Sequence, residues 1–438
     1  MPSTQRLFRW SALPLAIILL AAQSVAAQQE KIVITYGSWI AASGAIEEII
    51  EEFEARHPHI DVEFRQLEWG GEAAYLETLT VLSLGGVAPD IIQVSYAILP
   101  QLAQAGILKP VDGYLDRDAL EVDLSDFVPI APEAISWNGQ TFGLPFELGL
   151  WWVNFNKDAF AEAGLADPIQ LYHAGGWTWD AMIDSARKIT RRDAEGNTVR
   201  WGMWTFPGDA GVYPWLWAFG GDLLNTEGTK AVIGEPASVA GISHLHELMY
   251  EERILAFPNW MGVPAIAADW ETTLTQGNFG MQPWWMSLIA DYTQLNVAWE
   301  YDQVPVPPGP VNPVTVPSHI HTIAMWSGTQ HPDEAWEFIK FLTGEGYEYV
   351  LRRDPGYGAV RRSQLSIWAD TFLERGLQGL VFFDEGISRT RLRPRHPHIR
   401  EIEDLMQSTL NSVWHDEAPI APTLQQLANQ IDIILARE

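Results

Sequence analysis

Tryptophan is the residue type whose abundance points most directly to chemistry. The chain has 21 tryptophans among 438 residues, more than a core of this size requires. A flat indole can cover the apolar C–H face of a sugar ring, while carboxylates, amides and backbone groups bind the hydroxyls. Tryptophan together with Asp, Glu, Asn and His therefore suits a neutral polyol better than an anion or an apolar ligand.

One pair of tryptophans is adjacent. Trp284 and Trp285 follow Pro283 in the stretch GMQPWWMS. Neighbouring residues of a strand point to opposite sides, so only one of the two can easily face a given core. We expect one indole to pack inside and the other to face a ligand. We also expect Pro283 to end the strand, because proline cannot donate a ladder hydrogen bond.

Histidines separated by one residue could ligate a metal ion. On a strand this spacing places both rings on one face, as some zinc sites require. The sequence shows no obvious third ligand, and two of the pairs enclose a proline, which favours a turn. We therefore expect no metal ion and no other cofactor. The three pairs are His57/His59, His319/His321 and His396/His398.

Several other kinds of chemistry lack their residues. The chain has no cysteine, which excludes disulfides and thiolate chemistry. Neither a G-x-x-x-x-G-K-S/T loop nor a G-x-G-x-x-G run is present, so any nucleotide hydrolysis must belong to another subunit. The formal net charge of −29 disfavours nucleic acids and anionic lipids as partners.

The first 27 residues have the form of a secretory signal peptide. Arg6 and Arg9 make a short basic region, residues 12–22 are apolar but too few to span a membrane, and residues 24–27 are small. No cysteine follows that could carry a lipid anchor. We expect an exported protein, periplasmic or otherwise extracytoplasmic, without a lipid anchor or stable membrane insertion.

Alternating strands and helices must position these side chains. β-branched alternation and helical periodicity predict strands over residues 31–36, 60–64, 90–94 and 320–326, and helices over 45–56, 72–84, 179–191, 238–253 and 332–342. This order indicates an α/β fold with parallel layers. Ligands then bind beyond the carboxyl ends of the strands. Three of those ends combine polar and aromatic residues, namely Trp39 with Ser43, Glu68 with Trp69, and Ser95 with Tyr96.

Several segments together resemble the extracellular solute-binding proteins of bacterial ABC importers, in the carbohydrate-binding group related to maltose-binding protein. They cover most of the mature chain, and their order and spacing are specific. In chain order they are KIVITY, FEARHPHIDVEF, GVAPDIIQV, WNGQTFGLPFELGLWWVNFNKDAFAEAGL, GGWTWDAMIDSARKIT, GNFGMQPWW, HPDEAWEFIKFLTGEG and APIAPTLQQLANQIDIILARE.

The resemblance implies a two-lobe periplasmic-binding-protein (Venus-flytrap) fold that closes on a sugar. Each lobe would be a mostly parallel sheet flanked by helices. The chain would cross between lobes near residues 144–149, 310–318 and 355–362, and residues 304–317, rich in proline, would form a connection. After a signal peptide over 1–27, residues 28–143 plus 319–354 would form lobe 1, and 144–317 plus 355–438 lobe 2.

The resemblance also implies cleft residues beyond the three strand ends. Trp284 and Trp285 are the strongest candidates, because the family often has a stacking aromatic residue at this point. Each of the others also has a structural alternative, such as core packing, helix capping or a salt bridge. They are Glu147, Tyr213, Trp215, Asp269, Trp270, Ser318, His319 and Arg361. By contrast, Trp151 and Trp152 should alternate across a buried strand.

Other interpretations remain open. The basic run at residues 389–400 is typical of a solvated, salt-bridged segment, although an arginine there could contact a charged sugar. The resemblance implies a monomer that delivers a carbohydrate to the transmembrane subunits of an ABC permease, with no catalytic residues. The alternatives are an exported carbohydrate-active enzyme that pairs Glu147 with Asp269 or Glu271, and a sugar sensor for a signalling receptor.

Overall fold

A computed structural model describes residues 31–39, 44–206, 209–258, 263–266, 268–313, 316–353, 356 and 358–437. The strands are β1 (Ile32–Ser38), β2 (Ile60–Gln66), β3 (Ile91–Ser95), β4 (Ser136–Trp137), β5 (Gln140–Thr141), β6 (Gly143–Asn156), β7 (Arg191–Arg192), β8 (Thr198–Trp204), β9 (Leu255–Pro258), β10 (Ala265–Ile266), β11 (Phe279–Trp285), β12 (Tyr301–Pro305), β13 (Val316–Met325) and β14 (Thr390–Arg391).

The helices surround the main sheet. They are α1 (Ala45–Arg56), α2 (Glu72–Leu84), α3 (Leu99–Gln104), α4 (Asp112–Arg117), α5 (Ala131–Ala134), α6 (Lys157–Glu162), α7 (Pro168–His173), α8 (Trp179–Ile189), α9 (Tyr213–Ala218), α10 (Pro236–Tyr250), α11 (Trp270–Gln276), α12 (Leu288–Leu295), α13 (Pro332–Thr343), α14 (Glu345–Arg353), α15 (Leu365–Glu374), α16 (Phe383–Ser388), α17 (Ile399–Trp414) and α18 (Ile420–Leu435). Within the described ranges, no helix is long and apolar enough to cross a membrane.

Local periodicity accounts for the elements of the N-terminal half. In α1 the residues Ile46, Ile49 and Phe53 recur at helical spacing, and all three are buried. The bounds of α1 and α2 are those predicted from the sequence. Small differences appear elsewhere: α10 begins at Pro236, two residues before the predicted start, because proline suits the first turn of a helix.

The main sheet is mixed and runs in the order β10-β9-β8-β11-β6-β13-β3-β1-β2. β1 pairs in parallel with β2 and β3, and β8 pairs in parallel with β9 and β11. The central strands β6 and β13 run antiparallel to their neighbours β3 and β11 and to each other. The sheet therefore has two parallel flanks joined by an antiparallel centre.

β6 is the central strand of the molecule, and all of its 14 residues are buried. Its first half pairs with β13, and its second half pairs with β11 and β12. Leu148 lies opposite Ile320 of β13 and also forms a bridge with Gly358. Parts of β6 and β13 and the residue Gly358 therefore lie side by side at the centre of the sheet.

One prediction about proline was wrong. β11 continues through Pro283 to Trp285, with Pro283 opposite Val153 of β6, while the pairing of β11 with β8 spans Phe279 and Met281. Pro283 therefore lies beyond the residues that pair on the β8 side, where its missing N–H costs less. In the proline-rich residues 304–317, Pro305 is the last residue of β12 and Pro317 is the second residue of β13. Both prolines occupy strand ends.

Many tryptophans belong to the core rather than to a surface. Trp151 and Trp152 are almost fully buried, as predicted for neighbours on a central strand. Trp217, Trp336, Trp368 and Trp414 are buried to the same degree. Tryptophan abundance alone therefore overstated the number of indoles that could contact a ligand.

Candidate functional site

A carboxylate and two imidazoles meet where β6 and β13 pair. Glu147 lies opposite His321, and His319 lies opposite Gly149, so the side chains share one face of the sheet. Nδ1 of His321 lies 2.7 Å from one oxygen of Glu147, and Nε2 of His319 lies 3.4 Å from the other. We call Glu147, His319 and His321 the His–Glu–His cluster.

Gly149 makes room for this cluster. A Cβ at residue 149 would lie 2.0 Å from Cε1 and 2.3 Å from Nε2 of His319. The imidazole thus lies directly over the bare backbone of β6, with Glu147 two residues away on the same face. Glycine is needed here for close approach rather than for an unusual backbone angle.

Two opposing effects set the protonation of Glu147 and His319, namely burial and the interaction between the carboxylate and the imidazoles. Burial would raise the pKa of the Glu147 carboxyl, but the two histidines outweigh burial and lower that pKa to about 2. Burial lowers the pKa of His319, although Glu147 opposes the shift. At neutral pH Glu147 is therefore a carboxylate, and the ring nitrogens donate the hydrogen bonds to it.

Aromatic rings extend from the cluster in both directions. His319 and His321 stack with centroids 4.6 Å apart. Trp39 meets His321 edge-on at 4.8 Å, and Trp285 meets His319 at 4.5 Å. Trp39, which follows β1, and Trp285, which ends β11, thus come from opposite flanks of the sheet. We call this line of four rings the aromatic row.

The row continues beyond both tryptophans. Trp69 packs against Trp39 at 4.6 Å, and 36% of its surface is exposed. At the other end Trp151 contacts both Trp285 and Trp284, at 5.1 and 5.5 Å. Trp270 joins through Trp284 at 5.6 Å. Partly exposed indoles therefore surround a buried carboxylate on both sides, an arrangement that can cover a sugar face and bind its hydroxyls.

The chain matches the family model of bacterial extracellular solute-binding proteins over residues 36–349. It belongs to this family. The maltotriose-binding protein of Pyrococcus abyssi (strain GE5 / Orsay) is 21% identical over 394 residues, which cover 87% of this chain and 78% of the relative. A protein of Brucella abortus (strain 2308), named only as a binding protein, is 23% identical over 433 residues, 98% of this chain and 99% of the relative.

Solved structures share the fold of this chain. An ABC substrate-binding protein of Listeria monocytogenes in complex with cycloalternan superimposes with a TM-score of 0.79 at 19% identity, covering 93% of this chain and 100% of that chain. This likeness confirms the two-lobe periplasmic-binding-protein fold expected from the sequence. The sheet is mixed where the expectation was mostly parallel strands, because β6 and β13 run through its centre.

In this solute-binding protein, Trp284 and Trp285 are both partly exposed. Trp285 lies beside His319, whereas Trp284 packs among Trp151, Trp270 and Phe206. The expected contrast of one buried and one exposed indole was wrong. The two indoles differ instead in their neighbours, and only Trp285 contacts the His–Glu–His cluster.

Ser95 and Tyr96, at the end of β3, engage charged side chains. Ser95 Oγ donates to Glu72 at 2.9 Å, and the hydroxyl of Tyr96 accepts from Arg393 at 2.9 Å. Arg393 also binds Glu403 at 3.0 Å. Both Ser95 and Tyr96 are buried. Through these hydrogen bonds, Ser95 and Tyr96 connect the end of β3 to Glu72 and Arg393.

The basic run at residues 389–400 is salt-bridged as predicted, but it is not solvated, because its residues are buried or half-buried. Arg393 is 5% exposed and pairs with Glu72 and Glu403; Arg400 pairs with the same two residues at 3.0 and 3.1 Å. Arg395 donates to the carbonyl of Ser136 at 2.7 Å. Glu72 comes from a distant part of the chain, which local charge patterning cannot reveal. We call Glu72, Arg393, Arg400 and Glu403 the arginine–glutamate network.

Tyr213 and Trp215 lie inside α9. Tyr213 is fully buried and donates to Glu403 at 3.0 Å. Trp215 is 2% exposed and packs edge-on against Trp179 at 5.2 Å. Their positions fit the core alternative that the sequence left open.

The other candidate residues are not members of the His–Glu–His cluster. Asp269 caps α11 through Thr272 at 2.9 Å. Arg361 donates to the carbonyl of Thr343 at 2.9 Å and stacks on Phe127. Ser318 is buried on β13, and Glu68 is exposed beside Trp69. Ser43 lies outside the described residues.

Sequence reasoning missed the partnership within the cluster. In the sequence, nothing connects Glu147 to the 319/321 pair, and the histidines have no obvious third group. His321 itself was not among the candidates for ligand binding. The signal that could have joined them is Gly149, two residues after a carboxylate on a strand that must pair with β13. Recognising it requires the register between strands 172 residues apart.

Proposed function

We propose that this protein captures a neutral carbohydrate between its lobes and delivers it to the transmembrane subunits of an ABC permease. The observation that carries the proposal is the aromatic row, which links Trp39 and Trp285 across a buried carboxylate. Stacking surfaces beside oriented polar groups are what a sugar ring requires. The relatives named for maltotriose and cycloalternan support the same ligand class.

Within this proposal, the ligand rests on the aromatic row. Trp39, Trp69 and Trp285 cover apolar faces of the sugar, and Glu147 and His319 bind hydroxyls. Trp284 and Trp270 extend the same surface. The remaining candidates support the walls of the cleft through the contacts described above.

The lobes in this proposal are residues 28–143 plus 319–354 and residues 144–317 plus 355–438. Closure is a hinge motion at the three expected crossings between the lobes. The liganded, closed form is the one that the permease recognises. The protein acts as an exported monomer without a lipid anchor, and its net charge of −29 argues against nucleic acid as a partner.

We also propose that the protein is not an enzyme. A glycosidase needs one carboxylic acid with a raised pKa to protonate the leaving oxygen. The pKa of Glu147 is lowered to about 2, and that of Asp269 is lowered by hydrogen bonds from Thr272. Both groups are therefore carboxylates at neutral pH, which does not suit a general acid.

A thermal-shift screen of mono- and oligosaccharides, followed by calorimetry, tests the binding proposal. A ligand of the folded protein raises the melting temperature by mass action. We expect at least one neutral sugar to do so and to bind with one-to-one stoichiometry. Failure of every neutral sugar, with binding of an anionic or apolar solute instead, would contradict the ligand class.

The same sugars test for catalysis. Prolonged incubation of each hit with the purified protein should release no product, as measured by chromatography. Turnover at a rate typical of glycosidases would replace the transport proposal with the enzyme alternative.

A further inference from the structure

The His–Glu–His cluster offers more than hydrogen bonds to a sugar. One nitrogen or oxygen atom from each of its three side chains lies within 4.8 Å of the other two. In the part of the chain that the structure describes, this is the one group of three or more histidine and acidic residues that converges so closely. We infer that Glu147, His319 and His321 bind a divalent transition-metal ion such as Zn²⁺.

The contact between His319 and Glu147 has the spacing of two ligand atoms in a tetrahedral site. Ligand bonds of about 2.0–2.1 Å in a tetrahedron place neighbouring ligand atoms about 3.3 Å apart. His319 Nε2 lies 3.4 Å from its Glu147 oxygen, and His321 Nδ1 lies 2.7 Å from the other oxygen. Binding would require His321 and Glu147 to move apart by about 0.6 Å, a change that side-chain rotation can supply.

The donor set selects the class of ion. Two imidazoles and one carboxylate match the three protein ligands of open zinc sites. Ca²⁺ and Mg²⁺ prefer sites made wholly of oxygen atoms, so they fit this cluster poorly. For the ion to bind, the ring nitrogens of His319 and His321 that face Glu147 give up their protons, which the opposite ring nitrogens can carry.

The surroundings fix the ligands. Gly149 provides the space that His319 occupies, Trp285 packs against that ring, and Trp39 packs against His321. The side chains of His319 and His321 are 16% and 13% exposed, so the cluster is open on one side. A fourth ligand, water or a hydroxyl group, can enter from that side.

The other two histidine pairs lack this arrangement. The rings of His57 and His59 have centroids 6.3 Å apart with planes at 54°, and a proline separates the two residues. The rings at 319 and 321 are stacked 4.6 Å apart. The pair His57/His59 therefore serves as a control, because it has the same sequence spacing but, among the described residues, no carboxylate that converges on both rings.

Titration with Co²⁺ and Zn²⁺ tests the inference. Tag-free mature protein is treated with EDTA and desalted, then Co²⁺ is followed by visible absorption and Zn²⁺ by calorimetry at pH 7.5, a value chosen to keep imidazoles neutral, about one unit above their usual pKa. We expect one ion per chain and intense Co²⁺ bands typical of four-coordination. Absence of saturable one-to-one binding overturns the inference.

Variants locate the ion. His319→Gln, His321→Gln and Glu147→Gln should each weaken Zn²⁺ binding by more than the roughly 10- to 100-fold that loss of an outer partner costs. The double variant His57→Gln/His59→Gln should bind as the wild type does. Equal affinity in the cluster variants and the wild type, or loss in the control alone, overturns the assignment.

X-ray absorption spectroscopy of the Zn²⁺-loaded wild type tests the metal ligands without any substitution. It should show two imidazole ligands with light-atom distances of about 2.0–2.1 Å. A spectrum without imidazole overturns the inference even if a variant fails to fold. Sugar binding is measured in the EDTA-treated protein as well, so failure of the metal site and failure of the proposed carbohydrate function remain distinguishable.

Discussion

The ring Nδ1–H of His321 donates a 2.7 Å hydrogen bond to Glu147, a residue 174 positions earlier that lies directly opposite on the neighbouring strand. This pair joins β13 to β6 at the centre of the sheet, and His319 binds the second oxygen of the same carboxylate. The geometry of the site thus depends on strand register. Changes to the backbone at this point should alter the site as strongly as changes to its polar groups.

Gly149→Ala should disrupt the site without removing any polar atom. The new methyl group would lie 2.0 Å from the His319 ring, which Trp285 and Glu147 confine. We expect a loss of unfolding free energy of about 1–3 kcal/mol from overpacking, together with weaker ligand binding. Chemical denaturation and calorimetry measure the two effects.

Gly113→Ala is the matched control. Gly113 lies inside α4, and a Cβ there meets no atom within 4 Å. Alanine should leave stability unchanged or raise it by roughly 0.5–1 kcal/mol, because glycine is costly within a helix. Equal behaviour of the two variants would contradict the role assigned to Gly149.

Trp285→Ala and Trp284→Ala should have different effects. Trp285 borders His319, so its loss should weaken sugar binding by about 1–3 kcal/mol, as loss of an aromatic anchor does. Trp284 packs among Trp151, Trp270 and Phe206, so its loss should mainly lower stability. Calorimetry and thermal unfolding separate the outcomes, and equal loss of affinity in both variants would count against the distinction.

Trp39→Ala tests the opposite end of the aromatic row. Trp39 contacts His321 at 4.8 Å and supports Trp69 at 4.6 Å. We expect sugar affinity to fall by at least as much as in Trp69→Ala, because Trp39 borders the cluster directly and Trp69 does not. Calorimetry with the same sugar compares the two. A greater loss of sugar affinity in Trp69→Ala than in Trp39→Ala would place the ligand nearer Trp69 and farther from the His–Glu–His cluster.

Glu72→Gln should weaken the arginine–glutamate network. Glu72 pairs with Arg393 and Arg400, and loss of its charge leaves part of their buried charge uncompensated. We expect unfolding free energy to fall by about 3 kcal/mol, as measured with denaturant at neutral pH. Glu401→Gln is the control, because Glu401 forms an exposed pair with Arg437 and should cost less than about 1 kcal/mol.

The same residue predicts a dependence on acid. Burial would raise the pKa of Glu72, but Arg393 and Arg400 outweigh burial and lower that pKa below its ordinary value of 4.5. A lowered pKa stabilises the folded state above pH 4.5, and this stabilisation is lost as pH falls through the folded value. Denaturation curves of the wild type should show this loss, and Glu72→Gln should show less of it. An identical pH profile in both proteins would contradict the assignment.

The elements that depend on local pattern could be predicted from the sequence. α1 has its apolar residues at helical spacing, and α2 ends before a glycine pair, so both helices have the predicted bounds. The family resemblance also provided the two-lobe fold, while the binding roles it implies for Glu147 and Trp285 stay predictions.

Contacts between distant segments could not be predicted in this way. Arg393 looked solvated because its local neighbours are basic, whereas its carboxylate partners lie 321 residues away at Glu72 and on α17 at Glu403. The link between Glu147 and His321 likewise depends on the register of β6 and β13. Pro283 shows a third limit, since its tolerance within β11 depends on which neighbouring strand pairs at that point.

β6 also bears on how the molecule can be divided. The first half of β6 pairs with β13, and the second half of the same strand pairs with β11 and β12. No cut in the chain can assign this strand to one lobe without removing a central strand from the other. The lobes are thus distinct bodies in space but not independent folding units. Loss of structure in either one would expose backbone hydrogen bonds of the other, so we expect the two lobes to unfold in a single cooperative transition.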